Sequence, residues 1–257
     1  MGIPARLAST VCGAILAAAT ATSAADGGLV EYPFDPADFS TPLTIDNPYW
    51  PLAPGTRVVY SEVSEDECVI NEFLVTDASK SDFTGAYAGL SARVIADREW
   101  LDEDCDGGRD LLLEDTFDWY AQDDAGNIWY FGEDTTEFLY DEDGNPTGSS
   151  KEGSWQAGLD GAVAGLIMLA EPSPGAFYQQ EYYEDVAEDM GKVIGVDRPV
   201  SIGLGEFDGC LVTKEWSPLE VGAVEHKHYC PPFGLVMIEG MGGGRRTSTE
   251  AIEIDLP

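Results

Sequence analysis

The sequence predicts an all-β protein, mainly antiparallel, in which one large meander forms a curved sheet, an open barrel or a two-layer sandwich with little helix. Three observations predict it. About ten segments rich in Val, Ile, Tyr and Trp alternate in polarity and are separated by short Gly, Asn and Asp turns. The stretch Asp115–Tyr140 carries Trp119, Tyr120, Trp129, Tyr130, Phe131, Phe138 and Tyr140 on two strand-like runs around DDAGN, where glycine and asparagine tolerate a hairpin's positive φ. Gly and Pro, at 29 and 15 residues, punctuate the chain so often that only Ser154–Ala170, around GAVAGLIMLA, is expected to hold a short helix. A sheet of this size must curl or fold over to protect its edges.

In chain order, residues 1–25 read as a signal peptide: Arg6, an Ala-rich apolar run, then Ser23, Ala24 and Ala25 before the first acid, Asp26. Cys12 follows Val11 where a lipid-anchor box wants a small residue, so no lipid anchor is expected. No later stretch has the length of a membrane span. The protein is therefore expected to be exported, to the periplasm or the medium. Residues 26–55 carry Pro33, Pro36, Pro42, Pro48, Pro51 and Pro54, which exclude helix and interior strand, so they read as an extended lead-in with Tyr49 and Trp50 packed across one end of the sheet. Residues 56–257 read as one β-rich domain: strands at Thr56–Val63, from Cys68 to Asp77 and in Ala86–Asp102, the aromatic hairpin, a polar loop at Asp141–Gly153, and six further strands from Ala176 onward.

Four cysteines outlast the signal, an even number that in an exported chain favours two disulfides. Three pairings exist in principle. The simplest is local: Cys210 and Cys230 are symmetric about the turn Pro218–Gly222, which leaves Cys68 with Cys105.

In the aromatic hairpin, Asp123 set opposite Ile128 puts Tyr120, Gln122, Trp129 and Phe131 on one face and Trp119, Ala121, Ile128 and Tyr130 on the other. Both faces are then aromatic, so the hairpin is either covered twice or lines a cavity. Trp119, Tyr120, Trp129, Tyr130 and Phe131 are the candidate ligand-binding residues, for a small apolar molecule or a lipid.

The segments NPYWPLAPGTRVVY (47–60), DWYAQDDAGNIWYFGED (118–134) and CLVTKEWSPLEVGAVEHKHYCPPFGLV (210–236) resemble recurring blocks of a family of uncharacterised secreted bacterial β-rich proteins. The resemblance implies export and a β fold, and carries no activity or catalytic residue with it. The closing VEHKHYCPPFGLV (224–236) is also similar to a pattern in exported lipoprotein-like β proteins whose curved sheets cradle lipids, a likeness of fold alone.

Removing Arg6 with the signal leaves 12 basic against 48 acidic residues, a formal charge of −36. That excludes nucleic acid and anionic membranes as partners, and fits an acidic surface adapted to high salt, or cation binding. The best cation candidate is Asp102, Asp104, Asp106 and Asp110, which fill the first, third, fifth and ninth places of a calcium loop with Gly107 at the sixth; Leu113 stands where the bidentate Glu belongs. His226 and His228 lie two apart on one strand and face one way, a candidate metal pair or general base. With Cys210 opposite Cys230, however, Lys214 falls opposite His226 and Val212 opposite His228, and a neighbouring cation disfavours metal. No GxSxG, HExxH or Gly-rich phosphate loop occurs. The expected function is a non-enzymatic binding or structural protein of the envelope, with an apolar ligand or weakly bound calcium; the alternative is a hydrolase using His226 or His228 with a nearby carboxylate. Oligomeric state is left open.

Overall fold

Alternating apolar and polar residues over runs of seven to thirteen positions pair into long antiparallel ladders in the computed structural model, which describes residues 30, 32–63, 68–141, 143–242 and 245–257. The expected signal peptide and the first residues of the lead-in lie outside the described residues. The first half of the sheet is β1 (Arg57–Val63), β2 (Cys68–Lys80), β3 (Ala92–Leu101), β4 (Leu111–Gln122) and β5 (Ile128–Tyr140). Short strands follow: β6 (Pro146–Ser150), β7 (Trp155–Gln156), β8 (Val163–Met168), β9 (Phe177–Gln179) and β10 (Glu181–Tyr182). The second half is β11 (Met190–Ile202), β12 (Gly205–Trp216), β13 (Val224–Cys230), β14 (Gly234–Gly242) and β15 (Arg245–Asp255). The helical turns described are two 3-10 turns of three residues each, at Pro36–Asp38 and Gly85–Tyr87. No helix among the described residues is long and apolar enough to cross a membrane.

The strand order is β10-β8-β5-β4-β3-β2-β1-β15-β14-β13-β12-β11-β9. The first and last strands meet where β15 pairs with β1, Asp255 opposite Arg57. The other seam is bridged by the chain itself: β9 pairs with β11, β10 with β8, and Gln180 alone separates β9 from β10. The result is a nearly closed antiparallel barrel. Gly165 on β8 makes the bridge fit, because a Cβ there would stand 2.5 Å from the carbonyl oxygen of Gln179.

Side chains can fill a barrel of about eight strands, and a wider one leaves space that must be plugged or hollow. Here the lead-in plugs one end. Trp50 packs its ring 5.2 Å from Tyr120, 5.7 Å from Tyr229 and 5.8 Å from Phe73, so it enters the lumen instead of lying across the sheet end. Upstream, Phe34 and Phe39 cover the outer faces of Trp129 and Phe131, with ring centroids 5.8 to 6.0 Å apart.

Three further sequence expectations need correction. Gln122, not Asp123, stands opposite Ile128, which sets Tyr120 against Tyr130 and Ala121 against Trp129. The shared faces are therefore Tyr120 with Tyr130, inward, and Trp119, Trp129 and Phe131, outward, because a one-residue slip exchanges faces. Asp123 is instead the turn's acceptor, taking hydrogen bonds from the backbone N–H groups of Ala125 and Asn127 and from Trp129 Nε1. The expected short helix is β8, whose apolar run is buried on both sides against β5 and β10. The polar loop at 141–153 contains β6, which extends the outer end of β5. Cysteine pairing agrees with the sequence: Cys68–Cys105 and Cys210–Cys230 are both bonded, with Lys214 opposite His226 and Val212 opposite His228.

Candidate functional site in the barrel interior

Because side chains alternate along a strand, inward positions on neighbouring strands build two walls that change character from floor to mouth. On β1 the inward residues run Tyr60 then Glu62, on β2 Phe73 then Asn71, on β3 Asp97 then Glu99, and on β13 Tyr229, Lys227, Glu225. Together with Trp50, Tyr120, Ile167 and Leu235 they enclose a cavity of about 290 Å³. Its floor is aromatic and its upper wall is carboxylate. A second cavity of about 320 Å³ shares Glu225 and Lys227 with it and is lined further by Glu181, Asp189, Glu215 and Trp216.

Lys227 stands between the two. Its Nζ lies 3.0 Å from Glu215 Oε2 and 3.4 Å from Glu225 Oε2. Burial pushes the amine's pKa down, but these carboxylates outweigh it and hold the pKa well above the usual lysine range. Glu215 is fixed in turn by Thr213, whose hydroxyl donates to Oε1 over 2.7 Å.

Four buried carboxyls, those of Asp97, Asp118, Glu133 and Glu181, are poorly compensated. Burial and then Asp118 push Asp97 up to about 7, against the Asn71 amide that donates to it. Burial and then Glu133 push Asp118 up to about 7. Glu133, buried and facing Glu181, and Glu181, buried and facing Asp189, are each pushed up to about 8. Geometry points the same way: the Tyr130 hydroxyl is 2.7 Å from Asp118 Oδ1 and 3.0 Å from Glu133 Oε2. A phenol has one proton to give, so both contacts are hydrogen bonds only when one carboxyl is protonated and donates back.

The sequence candidates are distributed over both faces. Tyr120 is on the cavity wall and Tyr130 stacks on it at 4.7 Å. Trp119 faces outward under Lys80, whose Nζ is 4.2 Å from its ring. Trp129 lines an outer groove of about 570 Å³ with Val30, Tyr32 and Tyr182. Phe131 is fully enclosed.

Asp102, Asp104, Asp106 and Asp110 share a turn tied by the Cys68–Cys105 bond, but three of them already accept from backbone: Asp102 from the N–H groups of Asp106 and Gly107, Asp106 from that of Gly108, and Asp110 from that of Glu103. Among the described residues no three His, Cys, Asp or Glu side chains are grouped to hold a metal ion. His228 Nε2 lies 3.1 Å from Glu239 Oε2 on the outer face of β13, and neither histidine is on the wall of either interior cavity.

Sequence reasoning missed Trp50, Tyr60, Asp97, Lys227 and Tyr229. The signal was present in VEHKHYC, where the histidines drew attention to one face while Glu225, Lys227 and Tyr229 shared the other.

No family model matches the chain, and no curated protein matches it. Among solved structures, a "putative exported protein with YmcC-like fold" from Bacteroides fragilis is similar with a TM-score of 0.43 and 10% identity, over 82% of this chain and 100% of that one. A "putative lipoprotein" from Parabacteroides distasonis is similar with a TM-score of 0.41 and 10% identity, over 81% of this chain and 99% of that one.

Proposed function

We propose that this is an exported, non-enzymatic binding protein that holds a small molecule with an apolar body inside its barrel, against Trp50, Tyr60, Phe73, Tyr120 and Tyr229. One observation carries the reading: a cavity of about 290 Å³ with an aromatic floor is left open in the interior. Native interiors pack as densely as organic crystals, so an aromatic-walled space of this size is where a ligand belongs. Its volume is at the low end of ligand pockets, roughly 300–1,000 Å³, which favours one small molecule over a lipid with long chains. The two disulfides support the exported location. A hydrolase built on His226 or His228 lacks such support, since the His228–Glu239 pair is on the outer face.

Native mass spectrometry of protein purified from its own host tests the reading. Wild type should carry a bound small molecule, and a cavity-filling Leu235→Trp variant should be bare. Bare protein in both cases, with no melting shift from a panel of small apolar molecules, would overturn it.

A further inference from the structure

Resting on that reading, we infer that the ligand's apolar body carries an ammonium group: the interior cavity is a site for a small organic cation. Four acidic side chains, Glu62, Asp97, Glu99 and Glu225, line it, with Lys227 as the one cationic side chain on its wall among the described residues. Lys227 has no charge to offer an anion, because Glu215 and Glu225 already hold its amine at 3.0 and 3.4 Å. The walls thus present excess negative charge to whatever enters, and Glu225, whose side chain is 48% exposed, brings that charge to the solvent end.

Two further features point to a ligand. The floor is made of Trp50, Tyr60, Phe73, Tyr120 and Tyr229, and aromatic rings beside carboxylates are the chemistry that binds alkylammonium ions: ring quadrupoles attract the cation and the rings bury its carbons. Past Lys227, Glu181 lines the second cavity with only 8% of its surface exposed, and burial and Asp189 outweigh the hydrogen bond that its carboxyl takes from Trp155. A buried carboxyl compensated this poorly is costly to ionise, and an ammonium group supplies N–H donors and the opposite charge. A metal ion is a poorer occupant, as no three acidic or histidine side chains among the described residues are grouped to ligate one.

The test keeps the body constant and varies the charge: hexylamine, hexan-1-ol and hexanoate, titrated by calorimetry in 1 M NaCl at pH 8.5, above the value of about 7 to which Asp97 is pushed. At that ionic strength the Debye length is about 3 Å, so binding by the acidic exterior is suppressed. Hexylamine should bind at one site per chain, about tenfold tighter than hexan-1-ol, with hexanoate weakest. Asp97→Asn combined with Glu225→Gln should keep hexan-1-ol binding, which shows the cavity intact, and lose the preference for hexylamine. Asp104→Asn with Asp106→Asn, on the outer turn, should keep it.

Equal affinity for hexylamine and hexan-1-ol would overturn the cation assignment and leave the apolar-body reading standing. Preference for hexanoate would overturn it in favour of Lys227 as an anion anchor. A preference that survives Asp97→Asn with Glu225→Gln would place the amine elsewhere and overturn it too. Binding of none of the three would sink both this inference and the proposed function.

Discussion

At the residue scale, Lys227 is the centre of the interior. It is the cation felt by Asp97, Asp118, Glu181 and Asp189, and its direct partner Glu215 has a side chain only 7% exposed. Lys227→Met would leave Glu215 buried without its counter-charge. Removing one partner of a buried pair costs about 3–5 kcal/mol, and the low end applies because 24% of the lysine side chain is exposed. Urea denaturation should show a midpoint clearly below that of wild type. A midpoint unchanged within error would mean that Lys227 is not what holds the carboxylates in place. The sequence marks this lysine as inward only once Cys210 is set opposite Cys230, because a single register then assigns every β13 side chain to a face.

At the element scale, the seam and the acidic turn make separate predictions. Gly165→Ala should weaken closure, since the added Cβ meets the backbone carbonyl of Gln179, which cannot rotate away. Overpacking of this kind costs about 1–3 kcal/mol. Amide exchange should quicken first in β8, β9 and β10, and uniform exchange across the barrel would refute the idea that they form a seam. In the turn Asp102–Asp110, carboxylate oxygens already serve backbone N–H groups, so calcium would have to displace bonds that hold the turn. Calcium and magnesium at matched ionic strength should therefore raise the melting temperature equally, by screening. A larger calcium shift that vanishes in Asp104→Asn with Asp106→Asn would establish a site there.

At the scale of the whole molecule, stability should run against pH in an unusual direction. Asp97 and Asp118 are pushed up to about 7 and Glu133 and Glu181 up to about 8, from ordinary values of 3.8 and 4.5. Folded pKa values above unfolded ones mean that the folded state holds more protons between those limits, so stability falls as pH rises through that window. Glu72 runs the other way: its burial is outweighed by Arg57 and Arg109, its pKa is lowered, and its contribution is lost on the acid side. The melting temperature should rise on going from pH 8.5 to about 5 and fall again below about 4. In 1 M NaCl, where exterior repulsion is screened, the rise should persist in wild type and flatten in Asp118→Asn, which removes one charge from among Asp97, Glu114, Glu133, Tyr130 and Lys227. A profile identical in the variant would mean that the interior carboxyls keep their ordinary protonation.

The sequence by itself determined the class of the fold and most strand positions and, with the local cysteine pairing as the simplest of three, pointed to both disulfides and the register of β12 with β13, because alternation, turn residues and cysteine spacing are local facts about a chain. It also determined that both faces of the hairpin carry aromatic rings. What it could not determine was how Tyr120 and Tyr130 come to share a face, since Trp119 sits in a bulge and a slip of one residue exchanges inside for outside. Nor could GAVAGLIMLA reveal itself as a strand, for a short apolar run buried on both sides has no period of its own. The barrel's closure decided the rest. Only when β15 lies beside β1, and Gln180 spans the other seam, do Trp50, Tyr60, Asp97 and Lys227, as much as 177 residues apart in the chain, face one enclosed space. There, withdrawal from water gives ordinary carboxyl groups the shifted pKa values that the sequence does not record.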